Sequence, residues 1–344
     1  MESWVVIVIC TSLAVVTMEG VKCQNIVYTD NGALQGATET VQGRRVDVFL
    51  GIPFAKPPVG DLRFRLPEPA ENWEGVKDAT AFGPACMQIG PNPYGFPDVK
   101  TISEDCLTLN VFVPGSTNSS NNKAVMVWIH GGGYTTGGTA IYSFKEFAVT
   151  GDVIVVSMNY RLNVFGFLSI GDDSVPGNIG LWDQIEALRW IKKNIQYFGG
   201  DSGRVTIFGE SAGGSSVVQL ALANASSGLF QRFIRQSGIT NSKRANHGDD
   251  LHFMIGSHEP FVPGATFTDD EKYLSKMMMR YWSNFAKTGN PKMPESVPAI
   301  WEEYTANEKH YLEFGYDIVG KRSVIPERVK FWTKTIPRIL TRCN

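Results

Sequence analysis

The sequence predicts an α/β fold, a mostly parallel central sheet flanked by helices, and three observations carry that expectation. Short β-branched runs alternate with longer helical stretches over residues 125–208, the order in which parallel strands and crossover helices follow one another. Within that region Ile185, Leu188, Ile191, Ile195 and Phe198 recur at three- and four-residue intervals, which makes one apolar stripe on a helix. The 344 residues are 43% hydrophobic and 19% charged, a balance that supports a sizeable buried core.

Taken in order, residues 1–23 read as a secretory signal peptide. An almost unbroken apolar run covers residues 4–16, and Val21-Lys22-Cys23 supplies the cleavage step. The segment before the run has no Lys or Arg, so a buried first strand or a membrane anchor is the rival reading. Residues 24–344 then form the mature domain. Up to residue 124 the chain is rich in turns, with Pro53, Pro57, Pro58, Pro67 and Pro69, and antiparallel edge strands and loops are expected. Val125-Met126-Val127-Trp128-Ile129, Val153-Ile154-Val155-Val156 and Val205-Thr206-Ile207-Phe208 are the buried strands, the last two joined by the helix to make a right-handed βαβ unit. In the last third, Thr268-Asp269-Asp270-Glu271 is a capping box. Tyr273, Met277, Tyr281, Trp282 and Phe285 continue it as an apolar helical face until Gly289-Asn290-Pro291 stops the helix. A second amphipathic helix is expected over 326–340, and no strand is expected in this part.

The formal net charge of −2 gives no basic field for nucleic acid or an anionic membrane. No stretch after the leader is apolar for the roughly 18 residues a membrane span needs. Neither a cofactor nor a metal is expected. Of the five cysteines, Cys10 and Cys23 leave with the leader, and Cys86 and Cys106 are the pair an oxidising compartment would join. Cys343 is left over, either as a disulfide to a partner or as a free or capped thiol. Asn118-Ser119-Ser120 and Asn224-Ala225-Ser226 are glycosylation sequons.

The chemistry concentrates at Gly209-Glu210-Ser211-Ala212-Gly213-Gly214, which follows a strong strand and precedes a helical stretch, the context of a nucleophile elbow. His130-Gly131-Gly132-Gly133-Tyr134 closes the strand before it. A glycine loop there exposes backbone N–H groups to a developing oxyanion, with Gly132, Gly133 and Ala212 as the donors. His247, followed by Gly248-Asp249-Asp250, is the candidate general base, ahead of His130, His252, His258 and His310. In a Ser–acid–His order the carboxylate falls between nucleophile and base. Between Ser211 and His247 there is no Asp or Glu.

These segments resemble the type-B carboxylesterase and cholinesterase family of α/β-hydrolases. The likeness runs through Phe49-Leu50-Gly51-Ile52-Pro53-Phe54-Ala55, Ser103-Glu104-Asp105-Cys106-Leu107-Thr108-Leu109-Asn110, the glycine loop, Asn159-Tyr160-Arg161, Gly177-Asn178-Ile179-Gly180-Leu181-Trp182-Asp183-Gln184 and the elbow. It covers about 26–238 and resumes at His247-Gly248-Asp249-Asp250, continuing through Tyr281-Trp282-Ser283-Asn284-Phe285-Ala286 to Phe331-Trp332. The resemblance implies an α/β-hydrolase fold and a secreted serine esterase that attacks small ester substrates through an acyl-enzyme. By the same likeness Ser211 is the nucleophile, His247 the base, Gly132, Gly133 and Ala212 the oxyanion hole, and Cys86–Cys106 a disulfide. It also implies an omission near 239–246, because relatives carry the acid and further strands between these two motifs. Activity is then expected to be weakened or lost. A non-catalytic binding or adhesion module and a non-functional truncated product are the alternatives. Choline-ester hydrolases of this family carry a tryptophan where this chain has Phe96, which argues against a dedicated acetylcholine site.

Overall fold

The computed structural model describes residues 25–89, 101–117, 120–172, 174–236, 247–257, 264–315, 317–324 and 326–340. The leader, Phe96, Asn118, the join at 239–246, His258, Glu259 and Cys343 lie outside the described residues.

The proline- and turn-rich start folds as an antiparallel meander of β1 (Asn25–Thr29), β2 (Gly32–Val41) and β3 (Arg44–Pro53), with β4 (Val76–Asp78) parallel to β2. A separate pair, β5 (Ala85–Cys86) and β6 (Ile102–Ser103), lies next to the Cys86–Cys106 disulfide, the pairing expected from the sequence. The main sheet is completed by β7 (Thr108–Pro114), β8 (Lys123–Ile129), β9 (Ile154–Met158), β10 (Gly200–Glu210) and β11 (Arg232–Gln236), in the order β1-β2-β3-β7-β9-β8-β10-β11.

The fold class stands, but the sheet is mixed, with a larger antiparallel share than the sequence suggests. From β1 to β9 every neighbouring pair on this path is antiparallel, and only β9, β8, β10 and β11 run parallel to one another. Tight connections permit antiparallel neighbours, whereas parallel neighbours need a crossover. The crossovers begin only after β8.

The helices of the described residues are α1 (Lys145–Gly151), α2 (Asn163–Phe167), α3 (Ile179–Asn194), α4 (Ala212–Leu222), α5 (Asp250–Ile255), α6 (Asp269–Thr288), α7 (Pro326–Lys330) and α8 (Ile336–Leu340). Alternation along a strand sorts the core into two layers. Val125, Val127 and Ile129 of β8 pack with Ile185, Leu188 and Ile191 of α3 and Val217 and Leu220 of α4. Met126 and Trp128 face the other way, toward Phe147 and Ala148 of α1, Leu251 and Met254 of α5, and Met278 and Met279 of α6. The helical stripe read from the sequence is fully used, since Ile195 and Phe198 continue it as a 3-10 turn after α3 and are buried.

The capping box of α6 forms: Thr268 Oγ1 accepts from the Glu271 N–H, the Glu271 side chain accepts from the Thr268 N–H, and Gly289 closes the other end in the left-handed region. Tyr273, expected on its apolar face, is half exposed, while Leu274 of the same turn packs on the core and Ser275 is buried. The helix expected over 326–340 forms as α7 and α8 joined by a wider π turn over Phe331–Thr335. Between them and α6 stands a hairpin the sequence reading missed, β12 (His310–Glu313) with β13 (Val319–Arg322). Val319–Arg322 is exposed throughout, so no alternation of apolar and polar residues marks it.

Phe208 of β10 is fully buried and its ring meets Trp128, Phe144 and Phe147 at centroid distances of 5.0, 5.9 and 5.9 Å. Phe208→Ala should therefore destabilise the chain by about 3–5 kcal/mol, read as a lower urea midpoint.

Candidate active site

The turn after β10 places Ser211 at φ 55°, ψ −118° as the N-cap of α4, a strained conformation for a residue with a side chain. It is held because Gly213 and Gly214, without side chains, let other backbone come close. A Cβ on Gly213 would lie 2.0 Å from the Ile129 carbonyl, and one on Gly214 would lie 2.7 Å from the Gln236 carbonyl. The turn is thus wedged between the ends of β8 and β11. The Ser211 N–H donates to Gln236 O at 3.2 Å, and Ser211 O accepts from Ser215 N–H at 2.9 Å.

The glycine loop lies against this turn. A Cβ on Gly131 would meet Glu210 Oε2 at 2.7 Å and Ser211 Cβ at 3.0 Å. Gly132 has φ 104° and Gly133 φ 63°, and the Gly132 carbonyl turns away to accept from the N–H groups of Thr135 and Thr136, each at 3.0 Å. Among the described residues no hydrogen bond draws on the N–H of Gly132, Gly133 or Ala212. For Ala212 this is what the first turn of a helix leaves over. His130, which opens the loop, is buried and stacks on Tyr160 at 4.4 Å. Its Nδ1–H donates to Gly131 O at 2.8 Å, and burial pushes its pKa down to about 4. It is a neutral prop for the loop.

His247 Nε2 lies 2.7 Å from Ser211 Oγ, so the structure brings together the serine and the histidine singled out from the sequence. The ring itself is about half exposed, at 49%. What fixes it is the next segment: Leu251, Met254 and Ile255 of α5 are buried in the core against the sheet. The Gln236 side chain donates to Asp250 Oδ2 at 2.8 Å. Gln236 therefore holds the Ser211 amide with its carbonyl and α5 with its side chain. His310 stands beside Glu308 instead, at 3.7 Å, and is not part of this site.

Two participants were missed in the sequence. Gln236 ends a strand that is otherwise only partly covered, and nothing in the run Arg232-Phe233-Ile234-Arg235-Gln236 sets it apart. Glu210 was read only as a letter of the elbow. Its carboxyl is fully buried, neither oxygen has a hydrogen-bond partner, and Oε1 lies 3.3 Å from His247 Nε2. This approach is ionic in range without hydrogen-bond alignment. Burial, and after it the negative charge of Asp250, pushes the Glu210 carboxyl up to about 8. Of the possible stand-ins for the absent acid, Asp250 is engaged by Gln236. No group of three or more His, Cys, Asp or Glu side chains is arranged to hold a metal among the described residues. Asn224 is exposed at the start of a 3-10 turn, with the Ser226 hydroxyl donating to Ala223 O at 2.8 Å.

A family profile described as "Carboxylesterase family" matches residues 23–246 and 239–332. The chain belongs to the carboxylesterase family. Among its relatives, Acetylcholinesterase-1 of Trittame loki is 46% identical over 253 residues, 69% of this chain and 45% of that protein. Carboxylesterase 3 of Homo sapiens is 46% identical over 222 residues, 62% of this chain and 39% of that protein. Cocaine esterase of Oryctolagus cuniculus is 47% identical over 222 residues, 61% of this chain and 41% of that protein. The chain spans less than half the length of these carboxylesterase-family relatives.

Two outcomes follow from this geometry. Gly213→Ala should lower the melting temperature and dismantle the turn, because the Ile129 carbonyl is backbone and cannot step aside; circular dichroism melting reads the first effect and loss of Ser211 reactivity the second. For pH, Glu210 keeps its proton in the folded chain up to about 8, while an unfolded glutamate loses it near 4.3. The folded state then binds more protons, so this group's contribution to stability falls as pH rises between those values. Melting curves at pH 5, 6.5 and 8 should show a decline that Glu210→Gln flattens.

Proposed function

We propose that this chain is a secreted serine carboxylic ester hydrolase acting on small ester substrates through an acyl-enzyme on Ser211, with turnover reduced by an internal omission near 239–246. The observation that carries the reading is the 2.7 Å contact of His247 Nε2 with Ser211 Oγ, made beside three amides that no other group among the described residues uses. In the proposed reaction the Ser211 Oγ–H proton passes to His247 Nε2 as Oγ bonds the ester carbonyl carbon. The carbonyl π pair moves to its oxygen, which faces the N–H groups of Gly132, Gly133 and Ala212. Collapse breaks the ester C–O bond, and the imidazolium returns its proton to the departing alkoxide. Water then repeats the sequence on the acyl-enzyme and releases the acid.

Loss of the third member of a triad lowers kcat by about 10⁴ in a serine protease while leaving catalysis well above water. Esters with good leaving groups are the substrates on which such a site would still turn over. The omission is supported by the two profile matches meeting at 239–246 and by the share of each relative covered. Secretion is supported by the apolar leader and by the Cys86–Cys106 bond, which suits an oxidising compartment. No helix of the described residues is long and apolar enough to cross a membrane.

A second reading, a non-catalytic binding module, is favoured by one feature. A cavity of about 620 Å³ lies along β11 rather than at Ser211, lined by Phe233, Ile234, Trp282, Phe285 and Trp301. Intact-mass labelling with a fluorophosphonate separates the two. The esterase reading expects one adduct, absent in Ser211→Ala and formed at least about 100-fold more slowly in His247→Ala. Soluble protein that takes no adduct overturns it and leaves the binding reading.

A further inference from the structure

A second set of bonds reaches the glycine loop from outside the strands that carry the site. Residues 84–88, which include Cys86 of the Cys86–Cys106 disulfide, run beside the return limb of the loop, residues 135–139, and three side-chain amides join the two. Asn159, after β9, donates from Nδ2 to Pro84 O at 3.0 Å and accepts at Oδ1 from the Thr139 N–H at 3.0 Å. Asn163, at the start of α2, donates from Nδ2 to Thr135 O at 2.7 Å and to Met87 O at 3.4 Å. Gln88 makes the tightest junction. Its Nε2 donates to Gly137 O at 2.7 Å and to Cys86 O at 3.0 Å, while its Oε1 accepts from the Gly137 N–H at 2.9 Å. Both hydrogens of the amide are used, and one side chain satisfies both backbone groups of a buried glycine.

Gly137 is where that grip counts. A Cβ there would lie 2.6 Å from His130 Nδ1 and 2.7 Å from Gly131 O, so its backbone presses on the outgoing limb of the loop. Between the two limbs the Gly132 carbonyl accepts from the N–H groups of Thr135 and Thr136, and a Cβ on Gly132 would lie 2.1 Å from Thr136 O. A loop packed this closely has no slack. A shift of Gly137 is passed on to the amides of Gly132 and Gly133.

We infer that Gln88 is a positioning residue for ester hydrolysis, holding the Gly132 and Gly133 amides at the oxyanion by clamping Gly137 to the disulfide arm. The inference rests on the Ser211 esterase reading above. Gln88 acts through the backbone of Gly137, and its effect falls on the step in which charge develops. Oxyanion donors help only when they are already in place at that moment, and a displacement of about 1 Å in such a site can cost about 100-fold. The Cys86–Cys106 bond then does more than stabilise the chain, since it fixes the arm from which the clamp reaches.

The test pairs a kinetic with a spectroscopic measurement on Gln88→Met, which keeps the length of the side chain and removes its three hydrogen bonds. With p-nitrophenyl acetate, kcat should fall at least about ten-fold while KM changes less than about two-fold. An unchanged kcat in a variant that circular dichroism shows to be folded, or a rise in KM alone, overturns the inference and leaves the esterase reading intact. The second measurement needs no turnover. In the Ser211→Ala chain labelled with ¹⁵N-glycine, adding Gln88→Met should lower the order parameters of Gly132, Gly133 and Gly137 from about 0.85 to below about 0.6, with Gly209 of β10 unchanged. Unchanged order parameters at the loop overturn the inference whatever the kinetics give. A drop there, in a protein whose native form neither turns over nor takes a fluorophosphonate, keeps the clamp and removes the esterase reading. If Gln88→Met does not fold, Gln88→Glu, which keeps the acceptor for the Gly137 N–H and loses both donors, is read in the same way.

Discussion

Close backbone contact at one turn is the constraint on which the rest of the site depends. Ser211 sits in a left-handed conformation that a side-chain-bearing residue adopts only under compulsion, and the compulsion comes from two carbonyls, Ile129 O and Gln236 O, that leave no room for a Cβ at Gly213 and Gly214. Those carbonyls end β8 and β11, the strands on either side of β10. The three strands run parallel, so their carboxyl ends finish on the same side of the sheet. Glycine loop, Ser211 and His247 then meet at that end of the sheet.

The distance between base and nucleophile is set indirectly. His247 is half exposed, yet α5 after it is fastened twice, by Leu251 and Met254 in the core and by Gln236 on Asp250. His247 reaches Ser211 at 2.7 Å with the helix that follows it packed on one face of the sheet.

Much of this was legible in the residues. Glycines at 209, 213 and 214 around a serine, after a β-branched strand, specify a turn and little else, and the stripe of α3 and the caps of α6 are local patterns that tertiary structure did not override. What was illegible depended on contacts remote in sequence. Glu210 could not be distinguished from any other elbow residue until Gly131 closed over it. Gln236 gains its importance from Asp250, across a stretch that local patterns do not describe. The exposed hairpin of β12 and β13 has no alternation to announce it, and the antiparallel half of the sheet was under-weighted because β2, β3 and β7 read as turns and prolines rather than as long strands.

β11 has β10 on one side and no strand on the other among the described residues. A bare sheet edge invites further chains to add themselves, and proteins commonly guard such edges with charge. Arg232 and Arg235 occupy two of the five positions of this strand, and Arg232 is tied back to α6 through the Ala286 carbonyl at 3.0 Å. The strand that anchors the Ser211 amide thus carries two arginines beside the exposed ring of Phe233, the kind of charge that discourages edge-to-edge pairing.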